Sequence, residues 1–196
     1  LSPSSTDGYW YRAYAYYRRN KYDLAIADCN KMIELNPKRA TFYHRRGQNL
    51  AELRKSDAAL ADYDKALELD PKYSEARLAK IDILMCNKNL NKAIEEASEM
   101  IGEHSADLDK EPLGEAYCRR SEANYCRGNY KDAIADADKA IELLPHCSSA
   151  LLNRGYAQHC LGEYDNAIAS YNKALVLNQS AEAYTARGAA YCQLHQ

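Results

Sequence analysis

The chain has 196 residues, 46% of them hydrophobic, which is enough apolar mass for a sizeable core. With 26 basic and 28 acidic residues its net charge is −2, which argues against a partner held by bulk electrostatics, such as duplex nucleic acid or an anionic membrane. No run approaches the ~18 apolar residues that read as a membrane span.

Residues 1–5 read as a flexible lead. No basic stretch followed by an apolar one marks a signal peptide. The chain lacks an initiating Met and ends soon after Tyr191, which reads as a piece of a longer protein. From residue 6 onward the sequence repeats itself. Ala25, Ala59, Ala93, Ala133 and Ala167 sit in near-identical surroundings at spacings of 34, 34, 40 and 34 residues. A period of this length marks an array of supersecondary units, each burying its apolar face against its neighbours.

Within each period apolar residues recur at steps of three and four, the helical signature. In chain order the units are 6–39, 40–73, 74–113, 114–147 and 148–180, followed by a lone first helix over 181–196. Ala61, Tyr63, Ala66, Leu67 and Leu69 illustrate the stripe, closed by Asp70 and Pro71. Pro37, Pro71 and Pro145 each follow such a helix, where a missing N–H and a fixed φ end it. Asp23, Asp57, Asp132 and Asp165 fall in the early turns of the second helices, where negative charge suits the helix dipole. The third unit carries six extra residues within 102–113, including Pro112, with Gly114 directly after. They are expected as an extended loop, either a plain insertion or a hinge between units one to three and four to six.

The pattern resembles the tetratricopeptide repeat. Its residues are Tyr43, Gly47, Leu50, Ala59, Tyr63, Ala66 and Pro71 in the second unit, with counterparts in the others. These include Tyr9, Ala13, Tyr16, Tyr22 and Ala25 in the first unit and Tyr117, Ser121, Tyr130 and Ala133 in the fourth. Leu151, Gly155, Tyr164, Ala167 and Tyr171 serve the fifth, and Tyr184, Gly188 and Tyr191 the last. The third unit departs furthest, with Arg77, Ile81 and Met100 at the aromatic and small positions. The resemblance implies an all-α fold, a right-handed α-solenoid of antiparallel helix pairs.

Arg12, Arg46, Lys80, Arg120, Arg154 and Arg187 occupy a place where the family usually has leucine. Asp28, Asp62, Glu96 and Asp136 follow sixteen residues later, with Ser170 breaking the series. Charge-assisted pairs between the two helices of a unit are expected; the alternative is that each group snorkels to solvent. Either way these cations are structural.

In the resembling family the first helices line a concave face along which partners lie. Carried over unit by unit, the candidate surface comprises Trp10, Tyr14, Tyr17 and Arg18, then His44, Arg45 and Gln48, then Leu78, Asp82 and Met85. Cys118, Arg119, Glu122 and Tyr125 follow, and Leu152, Asn153, Tyr156 and His159 close it. The first stretch is aromatic and basic, while Glu75, Asp82, Glu115 and Glu122 make the middle acidic. That layout suits a protein or peptide with acidic or aromatic anchors at one end and a basic residue near its middle. The family's two-carboxylate clamp for chaperone tails is a poor fit. Its best register offers His44, Gln48, Ala79, Glu115 and Arg119, of which Arg119 alone matches.

No phosphate loop, dinucleotide fingerprint, zinc-protease motif or nucleophile elbow is present. Cys118, Glu122 and Cys126 form a stripe on one helix rather than a tetrahedral cage, so no metal and no cofactor are expected. An inner face that changes chemistry from unit to unit does not suit one-base-per-unit RNA reading. Seven cysteines without a C-x-x-C read as reduced thiols in a cytoplasmic setting. The expected function is therefore non-enzymatic: an adaptor or scaffold that binds a partner segment in its groove. The alternatives are a substrate-recruiting arm of a larger enzyme and a co-chaperone-like adaptor. Tyr184, Ala190, Tyr191 and Leu194 would expose an apolar face at the last helix, a route to self-association.

Overall fold

A computed structural model of the chain describes residues 6–104 and 109–194. Among the described residues there are eleven helices and no strand: α1 (Thr6–Arg18), α2 (Tyr22–Leu35), α3 (Ala40–Glu52), α4 (Ser56–Leu69), α5 (Ser74–Cys86), α6 (Leu90–His104), α7 (Lys110–Arg127), α8 (Tyr130–Leu143), α9 (Ser148–Cys160), α10 (Tyr164–Leu177) and α11 (Ala181–Leu194). Contacts group the chain into two units, Leu1–Ile83 and Leu84–Gln196, with the division inside α5.

The turn inside each helix pair has one geometry. Asn20, Arg54 and Lys88 adopt φ of 56°, 59° and 57°, and Gly128 and Gly162 take the same place at 86° and 78°. The N–H after each reaches back five residues, as in Lys21 to the Tyr16 carbonyl (2.9 Å) and Asn129 to Asn124 (2.9 Å). This left-handed Schellman ending satisfies carbonyls that the helix leaves without partners and reverses the chain at once.

Small residues set the packing distance within each pair. In the first unit Ala13, Ala25, Cys29, Met32 and Phe42 form a buried cluster on which Tyr9, Trp10 and Tyr16 rest. A second cluster joins Ala40, Ala66 and Ala76, so that a helix pair meets the first helix of the next. In the second unit Cys118, Ala140 and Ala150 make one cluster, and Ala167, Ile168, Tyr171 and Ala190 another. Isolated helices of this length are marginal in water, so stacking is what stabilises them.

Three of the expected charge pairs form. Arg12 meets Asp28, Arg46 meets Asp62 and Arg120 meets Asp136, each at 2.6 Å, and in each pair Nε donates to the second carboxylate oxygen. Each carboxylate raises the basicity of its guanidinium, by hydrogen bonding first. Arg154 donates instead to the Ser170 hydroxyl at 3.0 Å. A second partner lies on the helix before. Arg46 reaches Asn30, Lys80 reaches Asp64, Arg154 reaches Asp138 and Arg187 reaches Asn172, all at 2.7 Å, while Arg120 reaches Ser98 at 3.0 Å. Arg46, Arg120 and Arg154 therefore fasten adjacent repeats as well as the two helices of a pair.

The loop expected over 102–113 is much shorter. Helix α6 runs on to His104 and α7 begins at Lys110. Pro112 is the third residue of α7, where the N–H it lacks would have had no intrahelical acceptor. Gly114 is buried in the same helix, and a Cβ there would stand 2.5 Å from Leu144 Cγ. Close packing thus explains a glycine that reads as a breaker. The expected hinge falls on 105–108, outside the described residues.

Candidate partner-binding surface

In the first unit, Leu1–Ile83, α1 and α3 bring together six of the seven residues expected on those two helices. Trp10 leans on Phe42 with ring centroids 6.2 Å apart. The Arg45 guanidinium lies 4.6 Å above the Trp10 ring and 5.7 Å from that of Tyr14. Arg18 donates to the Tyr14 hydroxyl at 3.1 Å and stands 5.9 Å from its ring. Tyr14 is 43% exposed, so an open aromatic ring is flanked by two guanidinium groups. Cation–π contacts of this kind hold the arginines ready without neutralising their charge. Gln48 lies a helical turn on, 3.4 Å from Arg45 Nη1, and the Tyr17 hydroxyl faces Glu52 at 3.4 Å.

His44 does not join them. It is 8% exposed, and its Nδ1 lies 2.8 Å from the Tyr73 hydroxyl. Burial, and then the Arg45 charge, holds its imidazole down at about 4. At neutral pH it is a neutral hydrogen-bonding residue between α3 and the α5 approach, with little surface for a partner. Asp82 is exposed on α5. Its charge adds to burial in raising the phenol of Tyr63. Leu78 is buried.

Sequence reasoning passed over Tyr11, which is 68% exposed, and Arg39, whose guanidinium lies 5.1 Å over the Phe42 ring. Both border a crevice of about 270 Å³ with Thr6, Asp7, Trp10, Thr41 and Phe42. The signal was the run of aromatics around Trp10, which could not all face one way on a helix.

In the second unit the rings form a row. Tyr125 of α7 stacks on Tyr156 of α9 at 5.5 Å and 26°, and Tyr156 meets Tyr171 edge-on at 5.7 Å. The Tyr156 hydroxyl donates to Glu182 of α11 at 2.7 Å, and desolvation first, then that carboxylate, raises its phenol. His159 sits edge-on to Tyr164 at 5.3 Å. Arg119 pairs with Glu115 at 3.0 Å, and Glu122 is exposed. Asn153 departs from expectation. It is buried, and its Nδ2 donates to the Cys118 carbonyl at 3.2 Å, so its amide holds α9 against α7. Cys118 is buried too, its sulfur 3.8 Å from that of Cys147.

Among the described residues no group of three or more His, Cys, Asp or Glu is placed to hold a metal ion, and no helix is long and apolar enough to cross a membrane. What the surfaces offer is aromatic rings, hydrogen-bond donors and carboxylates on rigid helices.

Tetratricopeptide repeat models match residues 6–39, 40–73, 114–147 and 148–180, the same bounds as four of the units read from the spacing. A 38-residue stretch is 50% identical to the Protein SGT1 homolog of Bos taurus, covering 19% of the chain and 11% of that relative, so only a small part of that protein is spanned. The structure of yeast Tom70 superposes with a TM-score of 0.81 at 20% identity, covering all of this chain and 42% of Tom70. YrrB, described as a TPR protein with an unusual peptide-binding site, superposes with a TM-score of 0.69 at 18% identity, covering 95% of this chain and 94% of its own. At these identities the structural likenesses show an all-α helical-repeat fold.

Proposed function

The chain belongs to the tetratricopeptide repeat family, and we propose that it is a protein–protein interaction adaptor that holds a peptide segment of a partner against its first helices. The observation that carries this reading is the exposed Tyr14 ring between Arg18 and Arg45, backed by Trp10. An acidic side chain beside an aromatic one would meet both guanidinium forks and the open ring. Rigid aromatic and arginine anchors are the residue types that dominate binding energy at interfaces. Tyr17, Gln48 and Asp82 extend this surface in the first unit, and Arg119, Glu122, Tyr125, Tyr156 and His159 form its counterpart in the second. The preformed contacts support binding with little rearrangement.

The test is capture from a displayed library of acidic and aromatic peptides, followed by titration of the selected peptide. Tyr14→Ala and Arg45→Ala should each weaken it roughly tenfold or more. Equal affinity in both variants would remove the assignment of this surface.

A further inference from the structure

The thiols of Cys118 and Cys147 lie 3.8 Å apart, one buried on α7 and the other at the N-cap of α9. We propose that this pair is an oxidation site, in which Cys147 reacts first with a hydroperoxide and Cys118 then closes a disulfide. The inference stands apart from the peptide-binding reading, because it concerns the chemistry of two sulfurs and not the exposed faces of the helices.

Three features distinguish the pair from the other cysteines. The first is contact. Sulfurs at this separation need a turn of the side chains, and no large backbone movement, to reach the ~2.05 Å of a disulfide. The second is division of labour. Cys147 is half-buried and borders a crevice of about 310 Å³ lined by Leu143, Leu144, Pro145 and His146, which gives a small oxidant a way in. Cys118 is buried, with the Asn153 amide 3.9 Å from its sulfur, and is the less accessible of the two. The third is polarity. Either thiol can donate while both are neutral, but once one ionises the proton stays on Cys118. A thiolate on Cys147 accepts that S–H and sits at the N-terminus of α9, so its thiol is lowered and that of Cys118 raised, by the hydrogen bond between the two sulfurs first. Cys29, by contrast, is fully buried and pushed up to about 12 by desolvation, as an inert packing residue should be.

The Cys147 thiolate attacks an oxygen of the hydroperoxide, the O–O bond breaks, and the alcohol oxygen leaves with a proton, giving a sulfenic acid on Cys147. The Cys118 sulfur attacks the Cys147 sulfur, the S–O bond breaks, and hydroxide departs with the Cys118 proton as water. Two thiols lose two electrons together, and the hydroperoxide is reduced to alcohol and water. With hydrogen peroxide both products are water. The bond closes a loop across 29 residues and ties α7 to the N-terminus of α9.

The experiment uses the whole chain, reduced, treated with a small excess of hydrogen peroxide and then alkylated and digested. The expected product is a peptide pair joined through Cys118 and Cys147, lighter by two hydrogens and split by dithiothreitol. The oxidised protein should melt about 5–10 °C higher. Cys118→Ala should leave Cys147 as a sulfenic acid that dimedone traps, and Cys147→Ser should leave Cys118 a free thiol. The wild-type peptide map decides the matter even if a variant folds poorly. Recovery of alkylated Cys118 and Cys147 under conditions that oxidise the exposed Cys86, Cys126, Cys160 or Cys192 overturns the proposal. So does linkage of Cys147 to any cysteine but Cys118.

Discussion

Gly47 faces Tyr63 so closely that a Cβ on the glycine would stand 2.6 Å from the Tyr63 ring, and Gly155 stands to Tyr171 in the same way at 2.4 Å. Both rings are fully buried and cannot swing aside. Gly47→Leu and Gly155→Leu should each destabilise the protein by ~1–3 kcal/mol through overpacking. Gly188 holds the same register in α11 but has nothing within 4 Å of the added Cβ. Gly188→Ala should therefore raise stability by up to ~1 kcal/mol through helix propensity. Urea unfolding of the three variants checks the contrast in sign.

Arg54 takes φ of 59° at the turn where the later repeats have Gly128 and Gly162. A Cβ in the left-handed region costs ~1–2 kcal/mol, partly offset by the greater chain entropy that glycine loses on folding. Arg54→Gly should stabilise by ~0.5–1 kcal/mol, and Gly128→Ala should destabilise by a similar amount. Melting temperatures measured at one protein concentration separate the two.

The clamp of Arg46 on Asp62 is more enclosed than that of Arg12 on Asp28. The Arg46 side chain is 26% exposed and that of Arg12 is 56%, while both aspartates are buried. Arg46→Leu leaves a buried carboxylate without its bidentate partner and should cost ~2–4 kcal/mol. Arg12→Leu should cost under half of that, because the exposed place of the Arg12 guanidinium lets water replace it beside the aspartate. Equal losses in denaturant titrations would show that solvent screening does not decide the difference.

His44 binds its proton only near pH 4 in the folded chain, against 6.5 when unfolded. The unfolded chain therefore takes up more protons between those values, and stability rises with pH across that window. The contribution is fully present above pH 6.5 and is lost as the pH falls through about 4, amounting to roughly 3 kcal/mol. His44→Gln should flatten the fall in melting temperature between pH 7 and pH 4.5 relative to the wild type.

The repeat bounds were legible because small residues recur where helices cross, and crossing distance is a local demand on residue size. The sixteen-residue offset of Arg46 and Asp62 was legible for the same reason, since two helices and a fixed turn set it. The second partners were not. Asn30, Asp64, Ser98, Asp138 and Asn172 share a place but not a residue type, and any hydrogen-bond acceptor serves. Pro112 and Gly114 misled, because a proline in the first turn and a packed glycine look the same in sequence as breakers of a helix. His44 and Asn153 were placed on the partner face by register alone. Register fixes a helical position but not the neighbour that covers it.

Sequence alone determined the helix pairs, their turns and their family, because these follow from periodic apolar, small and left-handed positions within a few dozen residues. The tertiary structure decided which polar side chains are open and which are spent inside. Tyr14 stays open between two guanidinium groups, whereas Tyr73 covers His44 and Cys118 binds Asn153. It also set Cys147 against Cys118, residues separated by 29 positions that no local pattern connects. Burial is a property of what packs across from a residue, and that neighbour is supplied by a different helix.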